Sequence, residues 1–287
     1  MLKRQRVLLH LLKCADKPLS RIELTKWCFL LRHEMPSHGG ASFFDFVPYQ
    51  YGPFSFSMYQ ELDKLAIQNY VETPDDKAVA LTQLGESEAS VPASVAEDID
   101  AIVKRFRGFS MNRLLNYVYD RFPQYTVNSV REQRVQRPTA LPNIYTAGYE
   151  RCSVDLFLSL LVSSGIRRLI DVRMNPIARR YGFHKSTLKR LCGKLNIDYQ
   201  HVPELGIHSS QRQELATEDD YAKLFRTYER TTLKKEKDAI GSVAAMIEEL
   251  PSVLVCMEAD PCSCHRLRLA NVVADRTGLE VVHLRAA

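Results

Sequence analysis

No stretch of the 287-residue chain approaches the ~18–20 consecutive apolar residues of a helical membrane span, and no charged-then-apolar leader precedes the first helical pattern. These absences set the expectation of a cytoplasmic protein that keeps off membranes. A disulfide framework is equally missing, because the seven cysteines, Cys14, Cys28, Cys152, Cys192, Cys256, Cys262 and Cys264, are odd in number and scattered, which suits reduced thiols. There is no Cys-x-x-Cys pair, no internal repeat and no low-complexity tract. A strong charge excess is also lacking: 39 Lys+Arg against 34 Asp+Glu gives +5, compatible with a polyanionic partner only if the positive charge is clustered.

What is present is ample apolar sequence, 45% of the residues, in a chain longer than one core usually spans. Two domains are therefore expected. The stretch 126–142, with Asn128, Ser129, Arg131, Glu132, Gln133, Arg134, Gln136, Arg137 and Pro138, is polar and without apolar periodicity, and reads as the linker between a domain at 1–125 and one at 143–287.

In the first part, Leu2, Val7, Leu8, Leu11 and Leu12 recur at helical spacing, and Ser20 caps a second helix running toward Met35. A third helix is expected from about Ser55 to Gln68, then two short strands at 69–72 and 78–82 around a polar turn at 73–77. Three helices and a small hairpin describe a mainly α, winged-helix domain with extra helices to about Phe122. Such a domain reads DNA with its third helix, which nominates Ser55, Ser57, Tyr59 and Gln60; packing or dimerisation is the competing use, since that helix has few basic residues.

In the second part, apolar runs at 143–150, 168–173, 199–202, 253–258 and 281–284 alternate with helical patterns. The expectation is an α/β domain with an open, mostly parallel, Rossmann-like sheet. Leu254 to Arg266 is its most informative stretch, an apolar strand ending on Glu258 and turning into a helix that opens with Cys264-His265-Arg266. In such sheets ligands bind beyond the carboxyl ends of the strands, and helix N-termini there attract anions. Glu150, Asp171 and Glu258 each close a different strand and are the candidate catalytic carboxylates. Tyr149, Arg173, Tyr181, Cys264, His265 and Arg266 are the candidate substrate-binding residues.

Between Arg173 and Lys194 the chain carries seven basic residues and no acid. Arg179, Arg180, Lys185, Lys189 and Arg190 are read as contacts to a DNA backbone, with Tyr181 and Phe183 able to stack on a base. Cationic company beside each carboxylate opposes metal loading and favours metal-free chemistry, with no cofactor. Cys256, Cys262, Cys264, His265 and His283 raise a zinc alternative, against which stands the placing of Cys256 inside a strand. A Cys264 nucleophile at a helix start is a further alternative.

Two resemblances complete the reading. Gly148-Tyr149-Glu150, Asp171-Val172-Arg173-Met174-Asn175-Pro176, Tyr181-Gly182-Phe183-His184-Lys185-Ser186, Pro203-Glu204-Leu205-Gly206-Ile207 and Cys264-His265-Arg266, in this order, resemble the bacterial domain-of-unknown-function 488 family. That implies an α/β fold and a shared site built from the motif ends, without a settled reaction. Tyr51-Gly52-Pro53-Phe54-Ser55 is similar to the YGP signature of winged-helix-like domains in bacterial antitoxins and defence proteins, which implies a role against phage with modified DNA. Together these readings set the expectation of a DNA-processing hydrolase, a DNA glycosylase excising a modified or damaged base. A nuclease or phosphodiesterase, and a DNA-binding regulator sensing a nucleotide or modified base, are the alternatives.

Overall fold

Heptad-like apolar spacing at the start of the chain folds as α1 (Lys3–Ala15), and Ser20 Oγ accepts from Glu23 N to start α2 (Arg21–Glu34) just after the short β1 (Leu19–Ser20). The structure, a computed structural model, describes residues 1–73, 77–212 and 217–286, and divides into two units, Met1–Gln136 and Arg137–Ala287. No helix among the described residues is long and apolar enough to cross a membrane.

In the first unit α2 is the central element, with every residue from Leu24 to Leu31 buried. Around it lie α3 (Phe56–Ile67), α4 (Gln83–Ser87), α5 (Ala93–Phe106) and α6 (Met111–Arg121), and Trp27, Phe29, Leu62, Ile99, Phe106 and Tyr119 form one continuous core. The two strands expected after the third helix are β4 (Val71–Glu72) and β5 (Ala78–Leu81); β1 joins them in a three-stranded antiparallel sheet ordered β1-β5-β4. The tip of their turn, 74–76, lies outside the described residues. Between α2 and α3 lies a hairpin, β2 (Val47–Tyr49) with β3 (Gly52–Phe54). Gly52 is required there twice over: its φ is +81°, and a Cβ would stand 2.7 Å from the Tyr119 ring.

The polar stretch expected to be a linker is packed on the first unit as far as residue 136. Thr126 and Ser129 are buried, Ser129 Oγ lies 2.8 Å from the Tyr119 hydroxyl, and Val130 N donates to Gln50 O at 2.9 Å. Arg137 belongs to the second unit, donating to Leu195 O at 2.6 Å and Ile166 O at 2.9 Å. Side chains with no apolar pattern can still be ordered by such polar contacts, which periodicity does not register.

The second unit is an α/β domain with a five-stranded, all-parallel sheet in the order β10-β6-β9-β7-β8. Its strands are β6 (Ile144–Gly148), β7 (Arg168–Asp171), β8 (Asp198–His201), β9 (Ser252–Cys256) and β10 (Val281–Leu284). The helices are α7 (Val154–Ser163), α8 (Lys185–Lys194), α9 (Glu218–Arg230), α10 (Thr232–Lys235), α11 (Lys237–Glu249) and α12 (His265–Thr277). β9 is buried along its whole length, which is why it reads as an uninterrupted apolar run. The chain moves outward from β6 through β7 to β8, then returns through β9 to β10. β9 therefore sits between β6 and β7, pairing Gly148 with Cys256 and Asp171 with Val255. Three strand ends thus meet where the direction of winding reverses, the place at which open α/β sheets bind ligands.

Candidate functional site

Gly148 closes β6 because nothing larger fits: a Cβ there would lie 1.8 Å from Glu258 O, on the loop leaving β9. That close approach lays the segment after β6 against the segment after β9. Glu150 N donates to Met257 O at 2.8 Å, and Ala259 N donates to Glu150 Oε2 at 3.0 Å. Glu150 is exposed and serves as a tie between the two loops.

Asp171 is wholly buried and its oxygens are occupied. Arg173 N and Nε donate to Oδ1, Arg173 Nη2 donates to Oδ2, and the Tyr199 hydroxyl donates to Oδ2 at 2.6 Å. Arg173 Nη1 donates in turn to the Tyr149 hydroxyl at 2.8 Å and to Phe183 O at 3.0 Å, while the Tyr149 and Phe183 rings stack with centroids 4.1 Å apart. Burial alone would lower the pKa of Arg173, but the Asp171 hydrogen bonds and charge outweigh it and hold the guanidinium above its ordinary value. Burial and the Asp171 charge together raise Tyr199, which keeps its proton and remains a donor. This is a satisfied buried network, and it corrects two expectations: Asp171 is not available as a catalytic base, and Phe183 is core rather than a base-stacking ring. Arg173 keeps a structural partner and still lines the cavity described below.

One strand over, the end of β9 and the start of α12 bring together groups that stand eight and nine residues apart in sequence. Cys256 Sγ lies 3.1 Å from Glu258 Oε2 and 3.8 Å from His265 Nδ1; Cys264 Sγ lies 3.9 Å from the same nitrogen. Cys256, Cys264 and His265 are all buried. Hydrogen bonding from Cys264 holds the Cys256 thiol well below its usual range against the opposing effect of burial, with His265 adding to the same direction. Burial and the Cys256 charge raise the Glu258 carboxyl, which is only half-buried. Arg266, expected to hold substrate, is wholly buried and donates to Glu258 O and to Ala259 O at 3.1 Å. It fixes the loop that carries Glu258.

Between these two networks opens a cavity of about 130 Å³. Tyr149, Arg173 and Cys256 are buried contributors to its lining; Asn175, Ile177 and Met257 are exposed ones. Ile177 is 70% exposed and Met257 46%, so two large apolar side chains face solvent at the same opening. Sequence reasoning did not single out Asn175 or Tyr199 as site residues. Cys256 was among the zinc-ligand candidates, with its place inside a strand as the argument against it, and the structure sets it beside Cys264 and His265.

The basic run forms the loop 173–184 and α8, whose Lys185, Lys189 and Arg190 are exposed together with Arg179 and Arg180. Arg180 Nη1 donates to Cys152 O at 2.7 Å, and Lys185 Nζ lies 2.8 Å from His201 Nδ1, so these two are anchored to the domain. Tyr181 is half-buried. In the first unit, Ser55 is buried and caps α3 by accepting from Met58 N, and Ser57 is buried beside it; neither presents a hydroxyl to a groove, which corrects that expectation. Tyr59 packs against Phe54 with ring centroids 4.4 Å apart and lies under Arg21; Tyr59 and Gln60 are both half-buried.

Residues 153–273 match the family described as Domain of unknown function DUF488, so the second unit resembles that family from α7 into α12. Asp171, Arg173, the basic run and the Cys256 to Arg266 segment lie inside the matched range; Tyr149 and Glu150 lie outside it. No curated protein and no solved structure matches the chain.

Proposed function

We propose that the second unit is a hydrolase acting on a base presented by DNA, cleaving the N-glycosidic bond of a modified or damaged nucleotide. The observation that carries this reading is the strand-edge cavity, small, with a polar floor at Tyr149 and Arg173, a carboxamide at Asn175 and an apolar rim at Ile177 and Met257. A planar heterocycle with a polar edge fits that lining: Asn175 offers both a donor and an acceptor to the edge of a flipped base, and the apolar rim covers its face. Of the three candidate carboxylates, Glu258, half-buried on the loop after β9 with Cys256 Sγ 3.1 Å from its Oε2, is the one assigned to the chemistry, to activate water or to support positive charge developing on the sugar. Asp171 is bound by Arg173 and Tyr199, and Glu150 holds Ala259 N. A two-metal nuclease would need several carboxylates around its cations, and these three do not converge on one point.

Arg179, Lys189 and Arg190 hold the DNA backbone in this scheme, and the first unit, used as a winged helix, captures the duplex. Its YGP-like segment supports a role in defence against phage with modified DNA. The test is incubation of the full chain with unmodified and heavily modified DNA, followed by analysis of free bases and of abasic sites. Release of a base with an abasic site is the expected result. Strand breaks without abasic sites would replace the reading with a nuclease, and tight binding without any product would make the protein a regulator.

A further inference from the structure

Cys256 Sγ, Cys264 Sγ and His265 Nδ1 all lie within 4.8 Å of one another, buried at the junction of β9 and α12. We propose that these three atoms ligate one borderline-soft divalent cation of the zinc class. The inference goes beyond the hydrolase reading and stands apart from it.

A tetrahedral ion bound to sulfur at about 2.3 Å and to nitrogen at about 2.0–2.1 Å spaces its donors roughly 3.5–3.8 Å apart. The sulfur to nitrogen separations of 3.8 and 3.9 Å need only a slight contraction to reach that spacing. The imidazole is also set up as a ligand. His265 Nε2 lies 3.1 Å from Val172 O, and since a carbonyl only accepts, Nε2 carries the proton and Nδ1 turns its lone pair on the two sulfurs. A second hydrogen bond of this kind, to a backbone carbonyl, is how metal-binding histidines are held. The Tyr228 ring, edge-on at 5.4 Å, fixes the plane of the imidazole.

Charge balance points the same way. Arg266 is wholly buried with its guanidinium on the carbonyls of Glu258 and Ala259. Two thiolates and the Glu258 carboxylate balance a divalent ion and that guanidinium together. Of the cations that argue against metal loading in the sequence, Arg173 is neutralised by Asp171. Cys256 lines the cavity as well as the cluster, which gives the ion a path in from solvent. The three atoms supply three of the four positions of a tetrahedral ion, and Glu258 Oε2, 3.1 Å from Cys256 Sγ, stands beside the set. Binding requires both sulfurs as thiolates, and any proton they still hold leaves to solvent.

The experiment uses the full chain. Metal content is measured after purification without chelator, and the chelator-stripped protein is titrated with Co²⁺ while proton release is followed. The expected result is one ion per chain, thiolate-to-cobalt charge-transfer absorption, and release of protons on binding. Cys262→Ser, an exposed thiol outside the cluster, leaves all three unchanged. Cys264→Ser and His265→Gln each weaken Co²⁺ binding by roughly tenfold or more. A folded wild-type chain with no stoichiometric ion and no such absorption overturns the proposal, as does recovery of a Cys256 to Cys264 disulfide in place of two titratable thiols. The spectrum is read on wild-type protein, so a variant that fails to fold does not protect the inference. No turnover is needed: failure to release a base with the cobalt site intact removes the hydrolase reading alone.

Discussion

Asp171 and Glu258 close neighbouring strands with the same functional group, and their surroundings differ: Asp171 is wholly buried against Arg173 and Tyr199, while Glu258 is half-buried beside Cys256. Asp171→Asn leaves Arg173 buried without its counter-charge, so stability falls by about 3 kcal/mol or more and any loss of turnover follows loss of fold. Tyr199→Phe removes one donor to the same carboxylate and costs about 1–2 kcal/mol. Glu258→Gln should stay near wild type in denaturant unfolding while base release drops by roughly a hundredfold. A stable Asp171→Asn that binds DNA and does not turn over would reverse this assignment. Lys26 makes a separate prediction at the same scale. It is wholly enclosed in α2, donates to Pro53 O at 2.7 Å, and is pushed down by burial from 10.5 to about 7. Between those two values the unfolded chain holds a proton that the native chain does not, so the Lys26 contribution to stability rises with pH, by up to about 1.4 kcal/mol per pH unit. Unfolding free energies at neutral and at alkaline pH, compared between wild type and Lys26→Met, read this slope directly. Equal slopes would show that the ammonium is not desolvated.

At the scale of elements, α8 and the loop before it carry the prediction about DNA. Neutralising Arg179, Lys189 and Arg190 should flatten the slope of log affinity against log salt by about two to three, whereas neutralising Arg180 and Lys185, which bond to Cys152 O and His201, should flatten it less per charge removed. An equal effect per charge from both sets would mean that those anchors open on binding. The same elements show what periodicity can and cannot give. Strands β6, β7 and β9 were legible because helices cover both faces and leave continuous apolar runs, and α3 was legible from its Ser55 cap. The β2–β3 hairpin was not, because Pro48, Tyr51, Gly52 and Pro53 look like a loop, and proline is tolerated in a two-stranded pair of this kind. Asp171 and Arg173 were legible as a carboxylate with a cation beside it; that the pair is buried and shared with Tyr199 and Tyr149, which come from other strands and loops, was not. Cys256 was legible as a candidate ligand, but the close grouping with Cys264 and His265 was not. Its partners arrive from a helix after a loop, so no fixed spacing within one element announces them.

For the molecule as a whole, composition indicated two cores, and the structure divides at 136/137, inside the polar stretch read as a linker. The position of that division has a mechanical consequence. Arg137 reaches the carbonyls of Leu195, at the end of α8, and of Ile166, before β7, and so clips the entering chain onto the second unit; Ala140 N adds a bond to Gly165 O at 3.3 Å. A fragment of residues 137–287 should therefore unfold as one cooperative transition, since its core of Ile144, Ile170, Leu254 and Leu269 is its own. A fragment of residues 143–287 should be less stable by about 1–3 kcal/mol, because two carbonyls lose a charged donor and their burial is no longer compensated. Arg137→Ala in the longer fragment should reproduce most of that loss. Urea unfolding of the three proteins decides the matter: a shorter fragment as stable as the longer one would show that the clip is an exposed contact of no consequence. If the shorter fragment loses stability and the Arg137→Ala fragment does not, the stabilising contacts are instead those of 138–142.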